Sequence, residues 1–455
     1  MKNRVGLFIV GCFLLVMSSC WDDQTTSSSD VYKNCQIRTF ILQHDSIDAL
    51  STTKFTIDQV NGLIFNADSL PYGTELDKVI CKITYIDASV VTTNRVIQTA
   101  SNDTTWWNSS DSIDFSKPVS FEVGAFDGVT TKKYTAWVNI HQIHPDSMKW
   151  SQFAQLLPGV RIKKQKVITQ TYNEVESFFL YIQTSGNNYK LYRSSVTDAV
   201  NWEELPLSGL PIADMPLEQI TLYNNVYYLP SMSGELYGSE DGISWQQIEQ
   251  SPAVKTLLGV IPAGNRQPSA MCTIVEEEGL LRFASFNEEQ EWSAGEEVPS
   301  LFPVSGFCNH SYNSMYYDYL MVVAGRDRKG ELLNTSWSTM DGKSWALLSD
   351  LDSDYFDARE GAMLTLYDDQ LLLLGGIGTG GKGFSDMKSS IDHGVTWAEA
   401  DSLWNFPTTF TGRGFSSVYV DEAKYLYLFG GETRSNTDDL NEIWRGRINR
   451  LGFKK

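Results

Sequence analysis

The chain has 455 residues and a mass of 51.2 kDa, enough for two or three domains at roughly 150 residues each. Its 42% hydrophobic and 20% charged residues exclude wholesale disorder, a collagen-like fibre and a polytopic membrane protein. A formal charge of −20 excludes a binder that holds nucleic acid through clustered Lys and Arg, and 13 Trp with 21 Tyr favour strands.

Residues 1–19 read as an export signal. Lys2 and Arg4 precede an apolar run from Val5 to Met17, too short to span a bilayer, where about 20 residues are needed. Met17-Ser18-Ser19-Cys20 resembles a bacterial lipobox, which implies cleavage before Cys20 and its lipidation. An ordinary secretory signal cut nearby is the alternative. Trp21-Asp22-Asp23 resembles the Bacteroidetes-type signal for export to the outer face of the outer membrane, with the periplasmic leaflet as the other destination. Gln24 to Ser29 is Thr/Ser-rich, the composition of a flexible tether, so residues 20–33 read as lipidated Cys and linker.

Residues 34–145 show short alternating runs broken by turn residues. Ile37–Leu42, Val79–Ile86 and Arg95–Thr99 are such runs. The clearest pair is Val119–Phe126 with Tyr134–Ile140, joined through Asp127-Gly128, a favoured reversal. This last stretch resembles the final two strands of small Ig-like domains of Bacteroidetes surface lipoproteins, which implies a β-sandwich acting as a spacer. Trp106-Trp107 lies in a polar stretch, where adjacent indoles could stack on a sugar or headgroup, or one could pack inward. Cys35 and Cys81 could pair within this domain on an oxidising export route. Cys272 and Cys308 lie in apolar strand-like runs, where a thiol behaves as a small hydrophobe. No zinc spacing occurs among the cysteines and no metal-ligand spacing among the five His; neither metal nor cofactor is expected.

From residue 146 onward the chain repeats. Trp150, Trp202, Trp245, Trp292, Trp345 and Trp397 recur every 43 to 53 residues, the period of a propeller blade. Ser390-Ile391-Asp392-His393-Gly394-Val395-Thr396-Trp397 resembles the Asp-box at every fixed position. Ser239, Asp241, Gly242 and Trp245 form a copy one residue shorter, and Asp341, Gly342 and Trp345 survive in a third. Here Asp accepts backbone N–H groups across a tight turn, Gly takes positive φ and Trp packs between sheets, so the boxes are structural and not catalytic. Leu371 to Gly376 and Tyr425 to Gly431 end strands in Gly pairs and resemble Kelch repeats. The resemblance implies an all-β, six-bladed Kelch-like/Asp-box β-propeller over residues 146–455. A strand around Trp150 would close the last blade beside Trp444. An incomplete seven-bladed ring is the alternative.

In such a blade of strands a to d, the b–c and d–a loops share one face. The b–c loops from Arg326, from Ile377 and from Glu432 are long and polar, as functional loops often are. Arg161, Arg359 and Arg413 stand just ahead of strands a, and Arg326, Arg328 and Arg434 lie in the long loops. These six form the candidate ligand-binding set, since Arg binds carboxylates bidentately; packing within the repeat is the competing role for Arg359 and Arg413. No catalytic residue is assigned, and Tyr223, Tyr316 and Tyr317 are candidates through abundance alone. The pattern as a whole resembles a family of Bacteroidetes lipoproteins of unassigned activity. It is expected to be a surface binding module for a glycan or envelope protein, touching the membrane through its lipid alone. A sialidase-like glycoside hydrolase and an envelope scaffold are the alternatives.

Overall fold

The computed structural model describes residues 33–86, 93–98, 104–264, 267–313, 318–349, 355–434 and 440–452. The signal, Cys20 and its tether lie outside them. The chain divides between His144 and Pro145 into two compact units, and strands dominate both.

In the first unit Ile37–Gln43, Val79–Tyr85 and Ser112–Ile113 form one sheet. A second sheet runs Phe55–Asp58, Leu63–Asn66, Thr131–Trp137, Val119–Gly124, Thr93–Gln98, Thr104–Trp106. The run expected from Tyr134 to Ile140 therefore begins three residues earlier. Leu63–Asn66 pairs with Thr131–Trp137 in parallel; the other pairs are antiparallel. Residues of both sheets share one core, with Phe40, Phe115, Phe121 and Tyr134 at its centre. The large side chains here follow the period-two alternation of strands: Val119, Phe121 and Val123 are buried and Glu122 is not, while the small Ser120 and Gly124 are covered as well. Cys35 and Cys81 are buried free thiols, so the pairing considered for them is absent. Trp107 packs against the core and Trp106 stays 61% exposed.

Among the described residues the second unit contains six four-stranded antiparallel sheets. Sheets I to V begin with strands a Lys164–Tyr172, Thr221–Tyr223, Ala253–Ile261, Cys308–Asn313 and Met363–Tyr367, each followed in order by its own b, c and d. Sheet VI takes a, b and c from Ser417–Val420, Leu426–Phe429 and Glu442–Ile448, and its fourth strand is Met148–Gln155 from the start of the unit. Trp150 lies opposite Gly446 in that pairing. Strand b is covered on both faces, so it reads as an unbroken apolar run: every residue of Asp318–Val323 and Leu426–Phe429 is buried. Among the described residues no helix is long and apolar enough to cross a membrane.

Candidate functional site

Two of the six candidate arginines have no exposed surface. Arg359 and Arg413 are each 0% exposed. Arg359 donates from Nη1 and Nη2 to the two carboxylate oxygens of Asp386 at 2.7 and 2.9 Å, and from Nη1 to the Gly375 carbonyl at 2.8 Å. Arg413 donates to Glu442 at 2.6 Å and to the Gly430 carbonyl at 3.1 Å. Their guanidiniums lie over Phe384 and Phe410. Each therefore locks the approach to strand a onto the end of strand b and the start of strand c. With every such surface occupied by its own sheet, neither can meet a ligand. The two arginines hold equivalent places, each donating to the first glycine of its Gly pair, and their role is internal.

The remaining four are placed differently. Arg161 is exposed just ahead of sheet I, and Arg328 is exposed in the loop after strand b of sheet IV. Arg326 and Arg434, from the b–c loops of sheets IV and VI, meet on a residue that the sequence reading passed over. Glu360 is 2% exposed. It accepts from Arg326 Nε and Nη2 at 2.6 and 2.7 Å and pairs with Arg434 Nη2 at 2.7 Å. Arg326 spends a further donor on the Gly330 carbonyl at 2.6 Å. Arg434 keeps 53% of its side chain exposed. Arg326, Ile377 and Glu432 occupy matching positions, each bridged to the segment leading into its own strand a, at Ser305, Glu360 and Gly414. Burial pushes the Glu432 carboxyl up; Arg434 opposes that, and the charges of Glu218 and Glu360 add to it.

Apart from these groups, a central cavity of about 430 Å³ is walled by residues in or beside strands a of all six sheets. Most of its neutral polar lining is already satisfied. Gln165 donates to the Phe429 carbonyl at 2.5 Å, Asn309 to Leu258 at 2.8 Å, Ser311 to Val260 at 2.6 Å and Ser416 to Gly430 at 2.7 Å. Lys166 and Glu218, from sheets I and II, are the lysine and carboxylate of this wall. Among the described residues no ion pair within 4 Å engages either. Both are half-buried. Burial therefore lowers the Lys166 ammonium, against the pull of Glu218, and raises the Glu218 carboxyl, against Lys164 and Lys166. A concave site into which a few unpaired charged groups project is a common make-up of a ligand site.

The turn residues form a separate constellation at the opposite ends of the strands. Asp392 accepts from the Ser390 hydroxyl at 2.8 Å, the Thr396 amide at 2.9 Å and the Thr396 hydroxyl at 2.6 Å. Asp241 accepts from Ser239 and from the Ile243 and Ser244 amides. Asp341 accepts from the Lys343 and Ser344 amides and from the Thr339 and Ser344 hydroxyls. Gly394 and Gly242 hold φ of +83° and +70°, and a Cβ on them would fall 2.1 Å from Met321 Cε and 2.7 Å from the Tyr181 hydroxyl. Each such glycine thus abuts strand b of the preceding sheet. The tryptophans reach the same seam: Trp397 donates to Ser336 at 3.1 Å and Trp245 lies edge-on to Tyr181. This network holds sheets together and offers no acid or base to a substrate. Tyr223 is buried and donates to the Ser269 carbonyl; Tyr316 and Tyr317 lie outside the described residues.

Repeated four-stranded sheets around a central cavity define a β-propeller protein. The chain belongs to the DUF6242 family: residues 144–455 match the DUF6242 beta propeller domain and residues 24–138 the DUF6242 N-terminal domain, a domain of unknown function. No curated protein matches it. Among solved structures it is similar to that of YjhT, at 14% identity and a TM-score of 0.43, over 64% of this chain and 95% of that one.

Proposed function

We propose that the protein is a lipid-anchored outer-membrane binding module. Its Ig-like first domain acts as spacer, and its six-bladed, Kelch-like/Asp-box propeller takes a glycan or envelope-protein ligand at the cavity mouth. The observation that carries this reading is Lys166 and Glu218, outside any ion pair in a cavity where Gln165, Asn309 and Ser311 already hold backbone partners. Arg434, half-exposed beside Glu360 and Glu432, extends the same charged surface outward. Anchorage at Cys20 is supported by the residues around it, Ser18-Ser19-Cys20-Trp21-Asp22-Asp23.

The test is a glycan array and an envelope pull-down with the soluble chain from Asp30 onward, beside Lys166→Met and Arg434→Ala. A charged hydrogen bond contributes about 1.5–3 kcal/mol, so either change should weaken a captured ligand by roughly ten- to a hundredfold. Equal capture by all three proteins would place the ligand elsewhere and sink the reading. A second reading, glycoside hydrolysis, draws on two carboxyls near enough for Glu218 to act on Glu432, both raised by burial. Paired carboxyls are what such hydrolysis uses. Glu218→Gln should then abolish release of sugar from aryl glycosides; no release by the parent protein discards this second reading.

A further inference from the structure

One end of the first unit presents apolar side chains where burial would be expected. Val60 is 91% exposed, Val129 84% and Phe126 52%. The two valines hold the same place in two alike turns. Asp58 accepts from the Val60 and Asn61 amides at 2.9 and 3.0 Å, and Asp127 from the Val129 and Thr130 amides at 3.0 and 2.8 Å. In each, the carboxylate ties down the backbone and the valine side chain is left pointing out.

The turns lie at the same end of the sheet, because Leu63–Asn66 and Thr131–Trp137, which follow them, run parallel. Lys132 Nζ joins them by donating to the Gln59 carbonyl at 2.5 Å. The chain also enters the unit at this end. The Gln59 side chain donates to the Ile37 carbonyl at 2.6 Å and accepts from the Tyr134 hydroxyl at 2.7 Å, and that hydroxyl also receives the Ile37 amide. Lys33 is close enough to help lower the Asp127 carboxyl, behind the turn's own hydrogen bonds. Only twelve residues separate Lys33 from Cys20, a reach of at most about 45 Å at ~3.5 Å per residue.

From this placement we infer that the turns carrying Val60 and Val129, flanked by Phe126, rest in the interfacial layer of the bilayer that holds the lipid on Cys20. The inference builds on the lipid-anchor reading. Scattered exposed apolar residues are ordinary; three at the tips where an anchored chain enters its first fold are not scattered. Lys33, Lys132 and Lys133 stand at this end with Asp58, Asp127 and, opposite Lys133, Glu122, so these six charges balance and give no net repulsion from anionic headgroups. An anchor supplies high local concentration, so a shallow apolar contact suffices. No helix is required, because tip side chains alone reach the headgroup and acyl boundary.

The experiment uses the full lipidated chain in vesicles of phosphatidylglycerol and phosphatidylethanolamine, labelled with an environment-sensitive fluorophore through Val60→Cys, Val129→Cys or Lys117→Cys in turn. The native thiols in the described residues are buried, and Lys117 is exposed at the opposite end of the sheet. Blue-shifted emission at positions 60 and 129, quenched by lipid-borne quencher, with a water-like signal at 117, is the expected result. Water-like emission at all three overturns the docking, and apolar emission at all three overturns the stated orientation. Mass spectrometry of the mature chain separates the two readings. Absence of acyl mass on Cys20 removes the anchor itself, whereas an acylated chain with three water-like labels removes the docking alone.

Discussion

A guanidinium without exposed surface stabilises a fold only while its carboxylate stays beside it. Removing one partner of a buried pair typically costs about 3–5 kcal/mol, because the other charge is left uncompensated. Asp386 keeps 27% exposure beside Arg359, so Arg359→Ala should cost about 3 kcal/mol, the low end of that range. Arg328→Ala, at an exposed position, should stay within about 0.5 kcal/mol. Thermal midpoints of the two variants decide it: similar midpoints would deny Arg359 its locking role. The box aspartates bring a pH dependence. Against the upward push of burial, hydrogen bonds from Thr396 and Ser390 hold the Asp392 carboxyl below its ordinary value. A depressed folded value means the ionised form is favoured by folding. That contribution is complete above the ordinary carboxylate value of about pH 4 and is lost as pH falls through the depressed one. The difference in midpoint between the parent protein and Asp392→Asn should therefore be present at neutral pH and shrink towards pH 3. A gap that stays constant across that range would assign the effect to the amide's shape and not to charge.

At the scale of elements, the sheets are joined by what projects from their ends. The turn glycines admit strand b of the neighbour, the tryptophans fill the seam, and sheet VI borrows its outer strand from the start of the unit. Trp150 belongs to that borrowed strand. It donates to the Trp404 carbonyl at 2.9 Å and its ring lies 4.5 Å from Phe406. Because Trp150 is only half-buried, Trp150→Ala should cost about 2–3 kcal/mol, below the usual range for a core Trp, and should open sheet VI to protease ahead of the others. Limited proteolysis followed by mass mapping checks both; a first cut in sheets I to V would contradict the assignment of Trp150 as the clasp.

For the whole molecule, what could be read from the sequence follows the range of the interaction. Box turns and Gly pairs were legible because Ser390, Asp392, Gly394 and Trp397 sit within one turn of chain. Arg359 and Arg413 were legible as residues just ahead of strands a, and their partners include Gly-pair carbonyls 16 and 17 residues downstream. Their burial was not legible, since it is decided by Asp386 and Glu442, 27 and 29 residues downstream. Glu360 was missed because its two arginines come from loops on either side in sequence. Lys166 and Glu218 were missed because nothing local marks them; their meaning comes from the ring of strands around them.

The borrowed strand of sheet VI sets an order on biosynthesis. Met148–Gln155 leaves the ribosome before every other strand of its unit, and its partner Glu442–Ile448 leaves last. Through the making of five intervening sheets that segment has an unsatisfied edge, the kind of edge that pairs with other chains. A truncated product, stopped anywhere short of residue 442, would carry the same open edge permanently. Incomplete chains are thus self-marking: they stay sticky and protease-sensitive, while the finished chain hides the mark in its final step.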